Sequence, residues 1–366
     1  IEATRRGAGD DMIIGLRLSG DEKDYAGLEL DGVLEIYSAL DGVSDLDYFN
    51  ITAGTSAGLA GSTHIVPSMA YELGYTAPIS ASIKTRVSKP VFVAGRINQP
   101  QIAEKILEMG QADMCGMTRA LISDPEMPLK AGCGDLEDIR ACVACNQACI
   151  GHMLQACPIS CIQRPETGRE LQYANLSKAP SRKRILVAGG GPAGLKAASI
   201  AARRGHEVIL CEKSNSLGGQ INLAQSLPGR AEFGGITSNL QKELSKTTAR
   251  VHLNCFVNLD VIENIAPDVV ISATGATPYR AQIAGADDAH VVNAWQVLEG
   301  QTNVGGRVVI ADWRCDWVGL GLAELLVKQG RHVRLAVNGM VAGQNIPQYA
   351  RDIWIGILHK LGVEIR

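Results

Sequence analysis

Residues 184–194 read RILVAGGGPAG, an apolar strand that runs into a glycine-rich turn and then into a helix. Gly189, Gly191 and Gly194 make a G-x-G-x-x-G pattern there, and Glu212 ends the next apolar run, 207–212. The first glycine permits a tight turn, the second lets backbone approach a pyrophosphate at the positive end of the helix, and the third lets helix and strand pack closely. Glu212 is placed to accept from a ribose hydroxyl. A glycine turn that binds nothing is the alternative, but strand, helix and acid together favour a bound adenine dinucleotide or ADP. Working outward, a helix at 192–204, an amphipathic helix near 233–246 and a strand at 268–273 predict a doubly wound sheet. Leu217-Gly218-Gly219-Gln220 and Ala273-Thr274-Gly275 favour a flavin-type domain, with Gly219 and Gln220 beside the nucleotide. A further unit follows: a strand at 307–311, a helix at 319–329, a strand at 332–336, and another strand beginning at 363–365.

Upstream of the glycine turn the rhythm is different. Strands are predicted at 12–19, 48–52, 91–94 and 112–116, with helices at 29–39, around 79–87, and at 99–109, the last capped by Asn98 with Pro100 in its first turn. Four βα units in a row make a parallel sheet with helices outside it. Four strands do not close a (β/α)8 barrel, so these are read as its C-terminal half, with the other half expected upstream of Ile1. The chain is thus read as an α/β protein in four parts. These are the C-terminal half of a TIM barrel at 1–130, a cysteine module and linker at 131–182, a dinucleotide-binding domain at 183–300, and a second, nested nucleotide-like domain at 301–366.

Composition agrees with an α/β protein. The 366 residues carry 40 glycines and only 4% aromatics, whereas β-sandwiches are usually richer in aromatic residues. Thirty-five basic residues against 38 acidic ones, interspersed, give a net charge of -3, which argues against a nucleic-acid partner. No apolar run is long enough to span a bilayer and no signal peptide is visible, so a cytoplasmic protein is expected.

Five of the ten cysteines, Cys142, Cys145, Cys149, Cys157 and Cys161, fall within twenty positions. Such density in a long chain without a secretion signal suits metal ligation better than disulfides. Cys142-x2-Cys145-x3-Cys149-x11-Cys161 supplies four thiolates, for Zn2+ or for an iron-sulfur cubane. Zinc sites more often pair two separated C-x2-C knuckles, so three ligands in one knot and a fourth at a distance favour [4Fe-4S]. Cys157 and the remaining five are read as core or incidental residues.

Arg17 lies inside an apolar strand, Gly95-Arg96 follows the third strand, and Gly116-Met117-Thr118-Arg119 follows the fourth, just before a helix. Anion sites of (β/α)8 barrels gather in the loops after the last strands. A flavin that becomes anionic on reduction would partner such arginines, and internal salt bridges are the alternative.

The succession GLRLSG, AGRI, GMTRALISDP, C-x2-C-N-Q-A-C-x11-C and the Gly189 turn resembles the family of trimethylamine dehydrogenase and 2,4-dienoyl-CoA reductase, whose barrel is similar to old yellow enzyme. The resemblance covers essentially the whole chain. It implies FMN held by Arg17, Gly95, Arg96, Gly116 and Arg119, a [4Fe-4S] cluster on Cys142, Cys145, Cys149 and Cys161, and FAD or ADP at Gly189, Gly191, Gly194 and Glu212. It further implies a homo-oligomeric oxidoreductase.

Two features separate the branches of that family. The turn after the strand at 307–311 reads Asp312-Trp313-Arg314-Cys315-Asp316-Trp317, where an NADPH-dependent reductase would need a glycine-rich phosphate turn. This favours the amine dehydrogenase branch, whose electrons leave through the cluster to an electron-transferring flavoprotein. The trimethylamine enzyme has a cage tryptophan four residues beyond the third cluster cysteine, where this chain has Met153. The loop at 53–69, AGTSAGLAGSTHIVPSM, offers His64 and hydroxyls and resembles that of the dimethylglycine and N-methylproline demethylases. A small N-methylated amino acid is therefore the expected substrate, with His64 as its carboxylate's partner or as a proton acceptor, and a plain barrel-loop histidine as the alternative.

Overall fold

A computed structural model describes residues 1–43, 45–173 and 175–366. They pack as two units, residues 1–164 with 346–356, and residues 165–345 with 357–366. Among the described residues no helix is long and apolar enough to cross a membrane.

In the first unit β1 (Gly15–Ser19), β2 (Tyr48–Thr52), β3 (Val91–Ala94) and β4 (Met114–Gly116) pair in sequential order, all parallel. Helices Leu30–Asp41, Ala77–Lys84 and Pro100–Glu108 connect them, the order of elements a barrel wall requires. Alternation within the strands sorts the faces. Phe49 and Ile51 of β2 and Val91 and Val93 of β3 are fully buried. Phe49 and Ile51 share a core with Val33 and Tyr37 of the first helix and Ile83 of the second. Each such apolar side chain contributes about 1.5–3 kcal/mol on burial. Tyr37 meets Phe49 edge-on at 5.1 Å and donates to the Leu18 carbonyl at 3.2 Å, so its buried hydroxyl is satisfied. Arg17, Asn50, Phe92 and Met114 stand in one register row across the sheet and alternate with those core residues, which assigns them to the opposite face.

The strands begin later than the apolar runs suggest, at Gly15 rather than 12 and at Met114 rather than 112. Asn98 is not a helix cap. Gln99 occupies that position without a side-chain cap bond, and Asn98 Nδ2 instead donates to the Cys142 carbonyl at 2.8 Å. The cysteine segment up to residue 164 packs within the first unit. It belongs to the barrel unit, because Asn98, Asn146 (to the Val66 carbonyl, 2.8 Å) and Gln163 (to Ser123 Oγ, 3.3 Å) tie it to barrel loops.

In the second unit β5 (Arg184–Ala188), β6 (Glu207–Cys211), β7 (Arg250–His252) and β8 (Val269–Ser272) form a parallel sheet in the order β7-β6-β5-β8. Helices Pro192–Arg203 and Gly234–Ser245 cross it, making the doubly wound pattern. A second parallel sheet of the same unit has β9 (Arg307–Asp312), β10 (His332–Val337) and β11 (Glu364–Ile365) in the order β11-β10-β9. The edge strand β7, three exposed residues long, carries no alternation that a sequence pattern could detect.

Candidate functional site

The ends of β1 to β4 open on a cavity of about 290 Å³. Arg17, Gly95, Arg96, Gly116 and Arg119 all line it, together with His64 and Cys142. Arg17 stands within β1, Gly95, Arg96, Gly116 and Arg119 lie at or just after the ends of β3 and β4, and Cys142, 125 positions from Arg17, comes from the later cysteine loop, so the cavity forms at the strand ends where such folds place their ligands. Thr52, Ala53, Val66, Pro67, Asn98 and Thr118 also line it, and only their place after a strand could have marked them.

Several observations test whether these residues fit a flavin. Arg17 makes no hydrogen bond or ion pair among the described residues, so the internal salt bridge is not what holds it. Its register partner Asn50 has an enclosed Oδ1 without a donor. Arg17 is exposed, so its guanidinium is free for a ligand, and the enclosed Asn50 Oδ1 beside it lacks a donor, a pairing that a polar ring system such as isoalloxazine could use. Arg96 is buried at φ +49° and donates to the Tyr71 carbonyl. Arg119 Nη1 donates to the Pro67 carbonyl at 2.7 Å and to Asn146 Oδ1 at 2.8 Å. Gly95 is glycine for a protein reason: a β-carbon there would lie 2.3 Å from Thr76 Oγ1. The residues fit FMN.

The loop carrying His64 is internally wired. Thr63 Oγ1 donates to the Ala60 carbonyl at 2.8 Å, which uses its only proton. Tyr71 must then donate in its 2.6 Å contact with Thr63 and accept in its 3.3 Å contact with His64 Nε2. The ring is therefore the Nε2-H tautomer, with Nδ1 enclosed and without a partner. Tyr75 donates to the His64 carbonyl at 3.0 Å and stacks on Tyr71 at 5.3 Å. Burial, and then the Lys23 charge, push the His64 pKa down against the opposing pull of Asp21. The direction favours the neutral ring. Tyr71 and Thr63 carry no sequence motif that would have singled them out.

Cys142 also lies in the cavity wall. Burial raises its thiol, the Arg119 charge lowers it, and Cys149 and Cys161 raise it again. Cys145 is pushed up to about 12 by burial, opposed by the Gln147 backbone N-H and reinforced by the other three cysteines. Cys149 and Cys161 thus lie near enough to bear on both Cys142 and Cys145. Among the described residues no three His, Cys, Asp or Glu side chains converge to hold a single metal ion. In a cubane each thiolate binds a different iron, so its ligands stand further apart than those of one zinc ion. Backbone N-H groups already face sulfur, with Ala144 N donating to Cys142 Sγ at 3.4 Å. Ala144 and Asn146 both adopt positive φ to make this loop. The donor set fits [4Fe-4S].

In the second unit Gly189 turns at φ +111°, and a β-carbon there would lie 2.3 Å from the Ala273 carbonyl. At Gly194 it would lie 1.8 Å from the Gly189 carbonyl, whereas at Gly191 only the Gly219 Cα, at 4.0 Å, comes within reach. Packing explains the first and third glycines, and the second faces a space that an adenine nucleotide would fill. Glu212 Oε2 accepts from Gly190 N at 2.6 Å, and Oε1 accepts from Ser214 N and Oγ at 2.8 and 2.7 Å. Burial would raise this carboxyl, but those donors outweigh it and hold it below the usual range. Gly219 caps the helix Gln220–Ala224, and Gln220 Nε2 reaches the Ala276 carbonyl at 3.4 Å, so the LGGQ and ATG segments meet beside the glycine turn.

The turn after β9 is closed on itself. Asp312 Oδ1 accepts from Cys315 N at 2.9 Å, and Asp316 caps the helix Trp317–Lys328 through Val318 N. A β-carbon at Gly319 would stand 2.3 Å from the Asp312 carboxyl. Arg230 lies over the Trp317 ring at 4.2 Å. Carboxylates occupy the helix N-terminus at which a pyrophosphate would sit.

Comparison with known proteins gives the same two halves. Residues 183–366 match the family model for pyridine nucleotide-disulphide oxidoreductases, and residues 1–135 that of the NADH:flavin oxidoreductase / NADH oxidase family. The chain is 34% identical to N,N-dimethylglycine/sarcosine dehydrogenase of Chromohalobacter salexigens, over 97% of this chain and 53% of that protein. It is 33% identical to a probable N-methylproline demethylase of Rhizobium meliloti, over 92% of this chain and 49% of the relative. A solved 2-naphthoyl-CoA reductase superposes with a TM-score of 0.91 at 29% identity, covering 99% of this chain and 54% of the reductase. The chain spans about half the length of the curated relatives it matches.

Proposed function

The chain belongs to the pyridine nucleotide-disulphide oxidoreductase family and carries an NADH:flavin oxidoreductase-type domain ahead of that unit, and from this premise we propose that it works as an oxidative N-demethylase acting on small N-methylated amino acids. The observation that carries the reading is the meeting of Arg17, Arg96, Gly116 and Arg119 with the cluster cysteine Cys142 around one cavity. Bound there, FMN would supply a two-electron acceptor and [4Fe-4S] a one-electron outlet. The chain's own residues do the rest. Arg17 offers an exposed positive charge, Arg96 and Arg119 hold the loops at Tyr71 and Pro67, and Cys142 joins the cavity wall. His64 adds a neutral ring held by Tyr71 and Thr63, which does not repel an amine as an imidazolium would.

The oxidised carbon is the N-methyl group, which leaves as formaldehyde after hydrolysis of the iminium. An electron-transferring flavoprotein is the acceptor in this reading, and the enzyme is a cytoplasmic homo-oligomer. The closed turn at Asp312, Trp313 and Trp317 argues against the second reading, an NADPH-dependent 2,4-dienoyl-CoA or enoate reductase.

Anaerobic mixing of the purified enzyme with dimethylglycine, sarcosine or N-methylproline is expected to bleach the flavin absorbance and release formaldehyde. NADPH is expected to leave the spectrum unchanged. Bleaching by NADPH with none by any methylated amine would replace the demethylase reading with the reductase one.

A further inference from the structure

Asn146 follows Cys145 directly, sits at φ +59° and is only 1% exposed. Its amide is used in two directions: Oδ1 accepts from Arg119 Nη1 at 2.8 Å, and Nδ2 donates to the Val66 carbonyl at 2.8 Å. Its own carbonyl accepts from Gly151 N at 2.9 Å. Arg119 and Val66 line the cavity, and the same Arg119 Nη1 also donates to the Pro67 carbonyl. Asparagine tolerates left-handed backbone better than most residues, and an amide offers a donor and an acceptor without charge. The residue therefore joins the cysteine loop to the cavity loops, through Arg119 and through the Val66 carbonyl.

We propose that Asn146 is a positioning residue for the cluster, fixing the Arg119 guanidinium between the cavity and the cysteine sulfurs and so raising the cluster's reduction potential. This rests on the cofactor reading above. Reduction adds negative charge to a cluster, and a nearby positive charge favours that state. Arg119 and Cys142 line the same cavity, and Arg119 is hydrogen-bonded to the residue that follows Cys145. A neutral partner leaves that charge uncompensated, whereas a carboxylate at position 146 would pair with it and cancel most of its effect.

The test uses the enzyme with flavin and iron bound, reduced chemically at controlled potential, so that no substrate enters it. Electron paramagnetic resonance of the reduced cluster reads the ratio of reduced to oxidised centres at the wild-type midpoint. Asn146→Asp, nearly the same in shape, is expected to lower that ratio about tenfold, equivalent to 59 mV for a one-electron couple. Asn146→Gly keeps the positive φ without strain and releases Arg119, and is expected to lower the ratio about threefold. An iron-loaded Asn146→Asp with the wild-type midpoint overturns the proposal. If that variant does not retain iron, Asn146→Gly decides, a lowered ratio supporting the proposal and an unchanged one overturning it. Wild-type protein without iron or flavin would overturn the cofactor reading itself, which no shift in a variant's midpoint can do.

Discussion

Gly191 and Gly194 lie three positions apart in one motif, yet only one of them is required by the fold. A β-carbon at Gly194 would press on the Gly189 carbonyl at 1.8 Å and force helix from strand. Gly194→Ala is expected to lose about 1–3 kcal/mol in thermal or urea denaturation, the usual cost of overpacking. Gly191→Ala meets nothing but a Cα at 4.0 Å, so its stability should stay within about 0.5 kcal/mol of wild type. Calorimetric titration should nevertheless show its affinity for ADP at least about tenfold weaker, since a methyl group would stand where backbone approaches pyrophosphate. Full ADP affinity in Gly191→Ala would remove the nucleotide from this turn. Residues of this kind were legible because their chemistry is local: a glycine triad, an acid at a strand end, four cysteines at fixed intervals, arginines after strands. Asn146, Tyr71 and Thr63 were not, because what makes them matter is a partner reached through space. The Asn146 amide meets a carbonyl eighty positions away. Asn98 misled for the same reason, since its type and position fit a helix cap while its side chain goes to the cysteine loop.

Among the elements, the turn between β9 and its helix shows how a phosphate-binding architecture can be closed from within. Asp312 is 6% exposed, its Oδ2 has no partner, and burial, with the Asp316 charge adding, raises its pKa. Because the folded value lies above the unfolded one, the ionised form is the disfavoured one in the folded protein. The cost is absent below the ordinary aspartate pKa, grows as pH rises through the raised folded value, and is constant above it. Asp312→Asn keeps an acceptor for Cys315 N and is expected to stabilise the protein by about 1 kcal/mol at neutral pH, with the gain fading in acid. Melting curves across that range would show it, and a gain that persists at low pH would exclude the charge as its cause. The variant should still not bind NADPH, because Trp317 remains under Arg230. Strands and long helices were legible through periodicity, with ends displaced by one to three residues. The exposed strand β7 was not, and neither was the helix Leu259–Ile265, which Asn258 caps through Val261 N. Elements this short carry too few periods to stand out.

At the level of the whole chain, the expected four-stranded parallel sheet and doubly wound sheet are present, and the described residues pack as two units. Local pattern shows where an element begins, but which elements share a core depends on contacts that only folding brings together. All four cluster cysteines fall within residues 1–164, and the glycine turn, Glu212 and the LGGQ segment fall within 165–345. This separation makes a prediction about where ligands act. A ligand that binds only the native state adds RT ln(1 + [L]/Kd) to every opening that destroys its site, about 2.7 kcal/mol at a hundredfold excess over Kd. Hydrogen exchange with ADP should therefore slow at 189–194, at Ser214 and at 218–220, where backbone amides face the turn or Glu212. Exchange in β1 to β4 should not change, because none of their residues contributes to that site. Protection that instead rises in the barrel strands would place the adenine nucleotide in the cavity at Arg17, and would leave the glycine turn to be explained by packing alone.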